Sequence, residues 1–220
     1  MQCLETSVIP VELFQPVDVV LAETLPDALA RCGWMIAEQV FSPRLIQDLY
    51  EEVSGRNDLT PASIGRADDQ QRNTRVRRDK TRWLSAQSPL QAEYLTRMDQ
   101  IRQQLNRSLF LGLQEFEAHY ARYDAGDFYR THVDALKGQR NRVVTSVTYL
   151  NPEWRPHWGG ELVLYHESGA QLQRVLPTMG TTVFFMSEEF PHEVLPAVTS
   201  RYSIAGWFRV SSGVGNGLVI

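Results

Sequence analysis

Cysteine is nearly absent from this chain: only Cys3 and Cys32 occur among 220 residues. Two such residues provide neither a disulfide framework nor a zinc-type Cys pair, so a reducing compartment is the default. Long hydrophobic runs are missing as well. No stretch approaches the roughly 18 apolar residues needed to span a bilayer. The opening MQCLETSVIPVELFQPVDVV lacks the basic start and apolar centre of a secretory signal. An excess of positive charge is also absent, since 22 Lys and Arg stand against 26 Asp and Glu, for a formal net charge of −4. That balance argues against bulk nucleic-acid binding. Internal repeats and low-complexity tracts are lacking. The expectation is a cytoplasmic globular protein with no membrane or nucleic-acid partner.

What is present suits one domain over 1–220, because 43% hydrophobic residues suffice for an ordinary core. Residues 1–114 read as a mainly helical layer, 115–210 as a strand-rich half, and 211–220 as a glycine-rich tail. In LPDALARCGWMIAEQV, Pro26 predicts a helix start and Gly33 its stop, with a short strand over Trp34–Glu38. SPRLIQDLYEEVSG offers Ser42 as a cap, Pro43 at the first helical position, and one apolar stripe of Leu45, Ile46, Leu49 and Val53 before Gly55. A third helix opens at Ser88–Pro89, with Leu90, Tyr94, Leu95, Met98, Ile101 and Leu105 at helical spacing. Beyond Glu115 the period changes. EFEAHYARYD, RVVTSVTYLN, GELVLYH, TTVFFM and RYSIAGWFRV are β-branched or aromatic runs divided by Gly, Pro and Asn, which predicts a sandwich or barrel.

Chemistry concentrates in that second half. In FYRTHVDALKG, His132 and Asp134 stand two apart in what reads as a short strand, so they share a face. Burying both without a partner would cost several kcal/mol, roughly 2–7 for a neutral polar group and more for a charge. Alone, His-x-Asp is a short pattern that chance also supplies. His192 follows an apolar strand and a polar turn and opens another strand, where it is placed to complete a set of two imidazoles and one carboxylate. That set leaves open positions on a ferrous ion, and the lack of nearby cysteine counts against structural zinc. Arg201 begins the strand RYSIAGWFRV and shares a face with Ser203, Ala205 and Trp207. A guanidinium pointing inward needs an anion, and its fork matches a carboxylate. A bound dicarboxylate fits, with the Tyr149 hydroxyl beside it; an ordinary salt bridge to a surface carboxylate is the competing reading.

The ordered series ARYDAGDFYRTHVD, RVVTSVTYLNPEW, GGELVLY and PHEVLPAVTSRYSIAGWF, with RRDKTRWL upstream, resembles the Fe(II)- and 2-oxoglutarate-dependent dioxygenases of the prolyl 4-hydroxylase family. The nearest subgroup is the oxygen-sensing prolyl hydroxylases and their bacterial relatives. The resemblance implies an α+β fold, a double-stranded β-helix (jelly roll) with N-terminal buttressing helices. It implies His132, Asp134 and His192 as iron ligands, Arg201 and Tyr149 on the far carboxylate of 2-oxoglutarate, and Tyr123, Leu162 and Trp207 as pocket walls. The reaction implied is oxidative decarboxylation of 2-oxoglutarate to succinate and CO₂, coupled to 4-hydroxylation of a prolyl residue in a protein. O₂ would be the oxidant and ascorbate a candidate reductant. Asp134 occupies the position that a halogenase of this architecture leaves vacant for chloride.

The segment GRADDQQRNTRVRRDKTRW carries Arg66, Arg72, Arg75, Arg77, Arg78, Lys80 and Arg82 against Asp68, Asp69 and Asp79. It reads as a solvated loop, as a weak nucleic-acid patch, or, by the resemblance, as a substrate loop using Arg75, Arg77, Arg78, Asp79 and Trp83. The expected partner is a protein with a target proline, of the translation- or transcription-factor kind. Competing readings keep the chemistry on free proline, another amino acid or another side chain. Others make the chain a non-catalytic cupin-type metal module, or an RNA binder whose affinity falls steeply with salt.

Overall fold

Ser42 begins the most regular helix much as its sequence requires. The Ser42 hydroxyl accepts the Leu45 N–H at 3.2 Å, and Pro43 occupies the first turn. Leu45, Ile46, Leu49 and Val53 are all buried, and Gly55 closes the helix through its N–H to the Glu51 carbonyl. Each such side chain contributes about 1.5–3 kcal/mol on leaving water. The computed structural model describes residues 18–62, 74–135 and 141–210. Cys3, Arg66, Asp68, Asp69, Arg72 and the 211–220 tail lie outside that range.

In chain order the described elements are α1 (Asp18–Cys32), β1 (Trp34–Ala37), α2 (Pro43–Ser54), β2 (Thr60–Pro61), β3 (Lys80–Trp83) and α3 (Pro89–Leu109). Then follow β4 (Glu115–Tyr123), β5 (Tyr129–His132), β6 (Arg142–Tyr149), a 3₁₀ turn (Pro156–Trp158) and β7 (Leu162–Tyr165). The chain continues through β8 (Gln171–Val175), β9 (Thr182–Met186), β10 (His192–Val194) and β11 (Arg201–Arg209).

Two helices differ from expectation in instructive ways. α1 begins at Asp18, so Pro26 lies inside it rather than at its start. Leu21, Leu25 and Leu29 recur every fourth residue and pack into the core, and that burial outweighs the hydrogen bond Pro26 forfeits. Ser88 makes no side-chain cap for α3. Its hydroxyl donates instead to Glu52 of α2 at 2.9 Å, and the buried Gln91 bonds to the same carboxylate while accepting the Ser85 N–H. A polar side chain therefore takes a buried slot in the α3 stripe, while Leu90 is only partly buried.

The strands form a seven-stranded sheet in the order β1-β9-β6-β11-β4-β3-β2 and a four-stranded sheet in the order β5-β10-β7-β8. All ladders between these strands are antiparallel. This is the expected double-stranded β-helix, with the helices on the outer face of the larger sheet. Alternation along β11 divides the molecule: Tyr202, Ile204 and Phe208 join the helices in one core. Arg201, Ser203, Ala205 and Trp207 face the cavity between the sheets. Residues 1–114 are less purely helical than their period suggests, because β1, β2 and β3 extend the larger sheet. β8, spelled QLQRV, escaped the strand pattern because Gln171, Gln173 and Arg174 are polar and Leu172 is exposed, which leaves no apolar face to read.

Candidate active site

β5 and β10 lie side by side with His132 opposite His192. Expectation put His132 and Asp134 on one strand face, but β5 ends at His132 and Asp134 sits in the bend that follows. The two converge for a different reason. The Ala135 N–H bonds to the Ser187 carbonyl at 3.3 Å, and Thr145 Oγ1 on β6 donates to Asp134 Oδ2 at 2.8 Å, pulling the bend inward. His132 Nε2 is 3.5 Å from Asp134 Oδ1, His192 Nε2 is 3.7 Å from Oδ2, and one ligand atom from each residue lies within 4.8 Å of the others.

Electrostatics prepare this cluster for a cation. His132 Nδ1 lies 2.8 Å from the Arg130 carbonyl and His192 Nδ1 lies 3.0 Å from the Phe190 carbonyl. A carbonyl only accepts, so each Nδ1 carries a proton and each Nε2 is the ring nitrogen turned toward Asp134. Burial, then the neighbouring His132, lower His192 to about 4, so its imidazole is neutral at ordinary pH. Burial opposes charge on Asp134, yet His192 and then His132 hold its carboxyl well below the usual range. Two imidazoles and one carboxylate, free of thiolate, fit Fe(II).

Thr145 was not singled out from the sequence, although it shares the inward face of β6 with Val147 and Tyr149. Because its hydroxyl proton goes to Asp134, the contact to Ser187 Oγ at 2.8 Å is donated by Ser187. Thr145→Val keeps the shape and removes the bond to the carboxylate. Metal affinity, read by calorimetric titration, is expected to fall roughly 10–100-fold; unchanged affinity would show that the bond is dispensable.

Arg201 is 1% exposed, an extreme for a charged side chain. Its Nε donates to the Gly160 carbonyl at 2.8 Å and Nη1 to Ser203 Oγ at 3.2 Å, while Nη2 has no partner. The guanidinium lies 5.1 Å from the Tyr123 ring centre and 5.0 Å from that of Tyr149. The Tyr149 hydroxyl is likewise buried without a hydrogen-bond partner, and burial raises it to about 12. Two buried donors without partners, with no carboxylate in an ion pair with Arg201 among the described residues, fit the oxygen of an anionic ligand. A cavity of about 340 Å³ joins Arg201 to His132, Asp134 and His192, with Tyr123, Leu162 and Trp207 on its walls.

The basic segment divides by position. Arg77 grips Asp79 in a fork at 2.7 and 2.6 Å, and the Asp79 side chain is fully buried. Both are therefore occupied with each other. Arg77 also covers the Tyr129 ring at 4.4 Å, and Tyr129 stacks on His132 at 3.6 Å, a support for the imidazole that was not foreseen. Arg75 and Arg78 are exposed. Trp83 is on a strand rather than a loop, stands opposite His119, and is 55% exposed at the cavity rim.

His119 itself is a second unforeseen wall residue. Its ring meets Trp83 at 5.3 Å and Trp207 at 5.4 Å, and Nδ1 bonds to the Tyr120 carbonyl. Burial lowers it to about 4; Asp79 opposes that, while Arg77 and Arg142 add to it. A histidine depressed from about 6.5 on folding contributes stability that is whole above the unfolded value and lost as pH falls through about 4. The full loss is about 3 kcal/mol. Denaturant melts of wild type and His119→Phe should diverge between those values; parallel curves would refute the assignment.

A family model for the 2OG-Fe(II) oxygenase superfamily matches residues 118–209, the stretch that carries the two histidines, Asp134 and Arg201. The crystal structure of a Pseudomonas putida prolyl-4-hydroxylase is 38% identical, with a TM-score of 0.78, covering 87% of this chain and 99% of that one. The chain belongs to the 2OG-Fe(II) oxygenase superfamily. This oxygenase is prolyl-hydroxylase-like, and its family uses Fe(II), 2-oxoglutarate and O₂. Human Egl nine homolog 1 is 27% identical over 196 residues, 84% of this chain and 46% of that protein. A prolyl hydroxylase from Trichoplax adhaerens, solved with a hypoxia-inducible factor peptide fragment, shares the fold at 23% identity and a TM-score of 0.77, covering 86% and 89% of the two chains. The oxygenase spans less than half the length of the Egl nine homolog 1 proteins it matches. None of its described helices is long and apolar enough to cross a membrane.

Proposed function

We propose that this oxygenase hydroxylates C4 of a prolyl residue within a protein substrate, releasing succinate and CO₂. The observation that carries this reading is the buried Arg201 with its unpaired Nη2, in one cavity with the two histidines and Asp134. His132 and His192, through Nε2, and Asp134, through its carboxylate, hold Fe(II). Arg201 and the Tyr149 hydroxyl bind the far carboxylate of 2-oxoglutarate, and Tyr123 and Leu162 wall that end of the pocket. When bound, iron with O₂ and 2-oxoglutarate supplies the oxidation of an unactivated C–H bond, and ascorbate serves as reductant.

The remaining residues orient and shield. Trp207, under the Arg142 guanidinium at 3.7 Å, and Trp83 at the rim form an aromatic passage to the triad. An extended peptide carrying a proline ring suits such walls, and Arg75 and Arg78 favour acidic surroundings on the target. The Arg77–Asp79 fork holds the passage in shape rather than touching substrate. A protein partner is supported by a relative solved with a hypoxia-inducible factor peptide fragment; we take that partner to be of the translation- or transcription-factor kind, met in the cytoplasm.

The test is incubation of the iron-loaded protein with 2-oxoglutarate and proline-containing peptides, with free proline in a parallel arm. A gain of about 16 Da on a peptide proline, matched by succinate, is expected. Oxidation of free proline alone would move the substrate class to amino acids. Metal binding without succinate formation would leave only a cupin-type module.

A further inference from the structure

The segment between β6 and β7, NPEWRPHWGG, is tied at both ends to the start of β11. At one end, Asn151 donates to the Tyr202 carbonyl at 3.1 Å and accepts the Tyr202 N–H at 2.8 Å, so it brackets the residue after Arg201. At the other end, the Gly160 carbonyl takes the Arg201 Nε–H at 2.8 Å, and the Gly160 N–H bonds to the Pro196 carbonyl at 3.1 Å. Gly160 has φ +76°, and a Cβ there would lie 2.9 Å from Trp154 Cζ2 and 3.0 Å from Ala197 Cβ. The residue is thus wedged between an indole and the chain leading into β11. Trp154 is locked in turn, because its Nε1–H bonds to the Gly159 carbonyl at 2.9 Å and its ring meets Trp158 edge-on at 5.6 Å.

These contacts decide which edge of the guanidinium faces the cavity. An arginine fork binds a carboxylate well only when its plane and open edge are set beforehand. Here Nε is used on Gly160 and Nη1 on Ser203, so Nη2 is the open donor. Were the Gly160 carbonyl to turn away, the guanidinium would rotate and offer a different edge. We propose that Trp154, acting through the Gly160 carbonyl, is a positioning residue for Arg201 and so sets the selectivity of this oxygenase for 2-oxo diacids over 2-oxo monoacids. The proposal rests on the reading of Arg201 as the far-carboxylate clamp.

The experiment measures binding, not turnover. Protein loaded with Mn(II) is titrated calorimetrically with 2-oxoglutarate and with pyruvate, which keeps the 2-oxo acid and lacks the far carboxylate. Trp154→Ala is expected to weaken 2-oxoglutarate roughly tenfold, as loss of one well-placed charged hydrogen bond does. Pyruvate affinity and Mn(II) affinity should stay within about twofold of wild type. Unchanged 2-oxoglutarate affinity in Trp154→Ala, or equal loss of both acids, would overturn the positioning role. Arg201→Ala separates the two ideas: if that variant keeps wild-type selectivity for the diacid, the clamp reading fails. If it loses selectivity while Trp154→Ala keeps it, only the present inference fails.

Discussion

Asp134→Ala is expected to abolish turnover and to weaken metal binding by at least about 100-fold, since removing even an outer-shell partner of a ligand costs roughly 10–100-fold. The variant loses the only acidic ligand of the cluster and leaves the His132 and His192 rings, 4.2 Å apart between centres, as its remaining ligands. Any cation entering would meet two imidazoles and no carboxylate to offset its charge. The Ser187–Thr145 hydroxyl chain would also end without its acceptor. Metal titration and succinate release are the measurements. Wild-type metal affinity with wild-type turnover in this variant, or in His192→Ala, would remove the iron assignment.

Arg201→Ala should act on a different quantity. The expected result is a KM for 2-oxoglutarate raised roughly 100-fold, with metal affinity nearly unchanged and kcat affected less. Breaking a buried pair of charges typically costs about 3–5 kcal/mol, and every 1.4 kcal/mol is tenfold. The lower part of that range is used because the Tyr149 hydroxyl remains beside the same carboxylate. A large fall in kcat at saturating 2-oxoglutarate, with KM unchanged, would show that Arg201 is not the clamp. A variant that no longer folded would show a lost melting transition instead, since Gly160 and Ser203 both lean on this side chain.

Much of the candidate site was legible because its residues obey local rules. Arg201, Ser203, Ala205 and Trp207 alternate along one strand, and a period of two needs no tertiary information to assign a face. The cap and stripe of α2 are equally local. Where polar groups outbid the pattern, legibility failed. Gln91 is buried because Glu52 of another helix meets it, and Pro26 is tolerated inside α1 because leucines before and after it pack into the core. Asp134 reached the site from a bend rather than a strand, drawn by Thr145, a partner eleven residues away.

By itself the sequence determined which chemistry was available: two imidazoles, a carboxylate and an inward arginine in an order that matched one family. Only the tertiary structure decided how those groups are prepared. The carbonyls that fix the two tautomers, and the Tyr129 ring pressed on His132, are only two or three residues away in the chain, but the meeting of His132 with His192 and the seat of Arg201 on Gly160 arise from contacts between segments far apart in it. Periodicity reports which way a side chain faces. What it meets there depends on how the two sheets close over each other, and that is a property of packing.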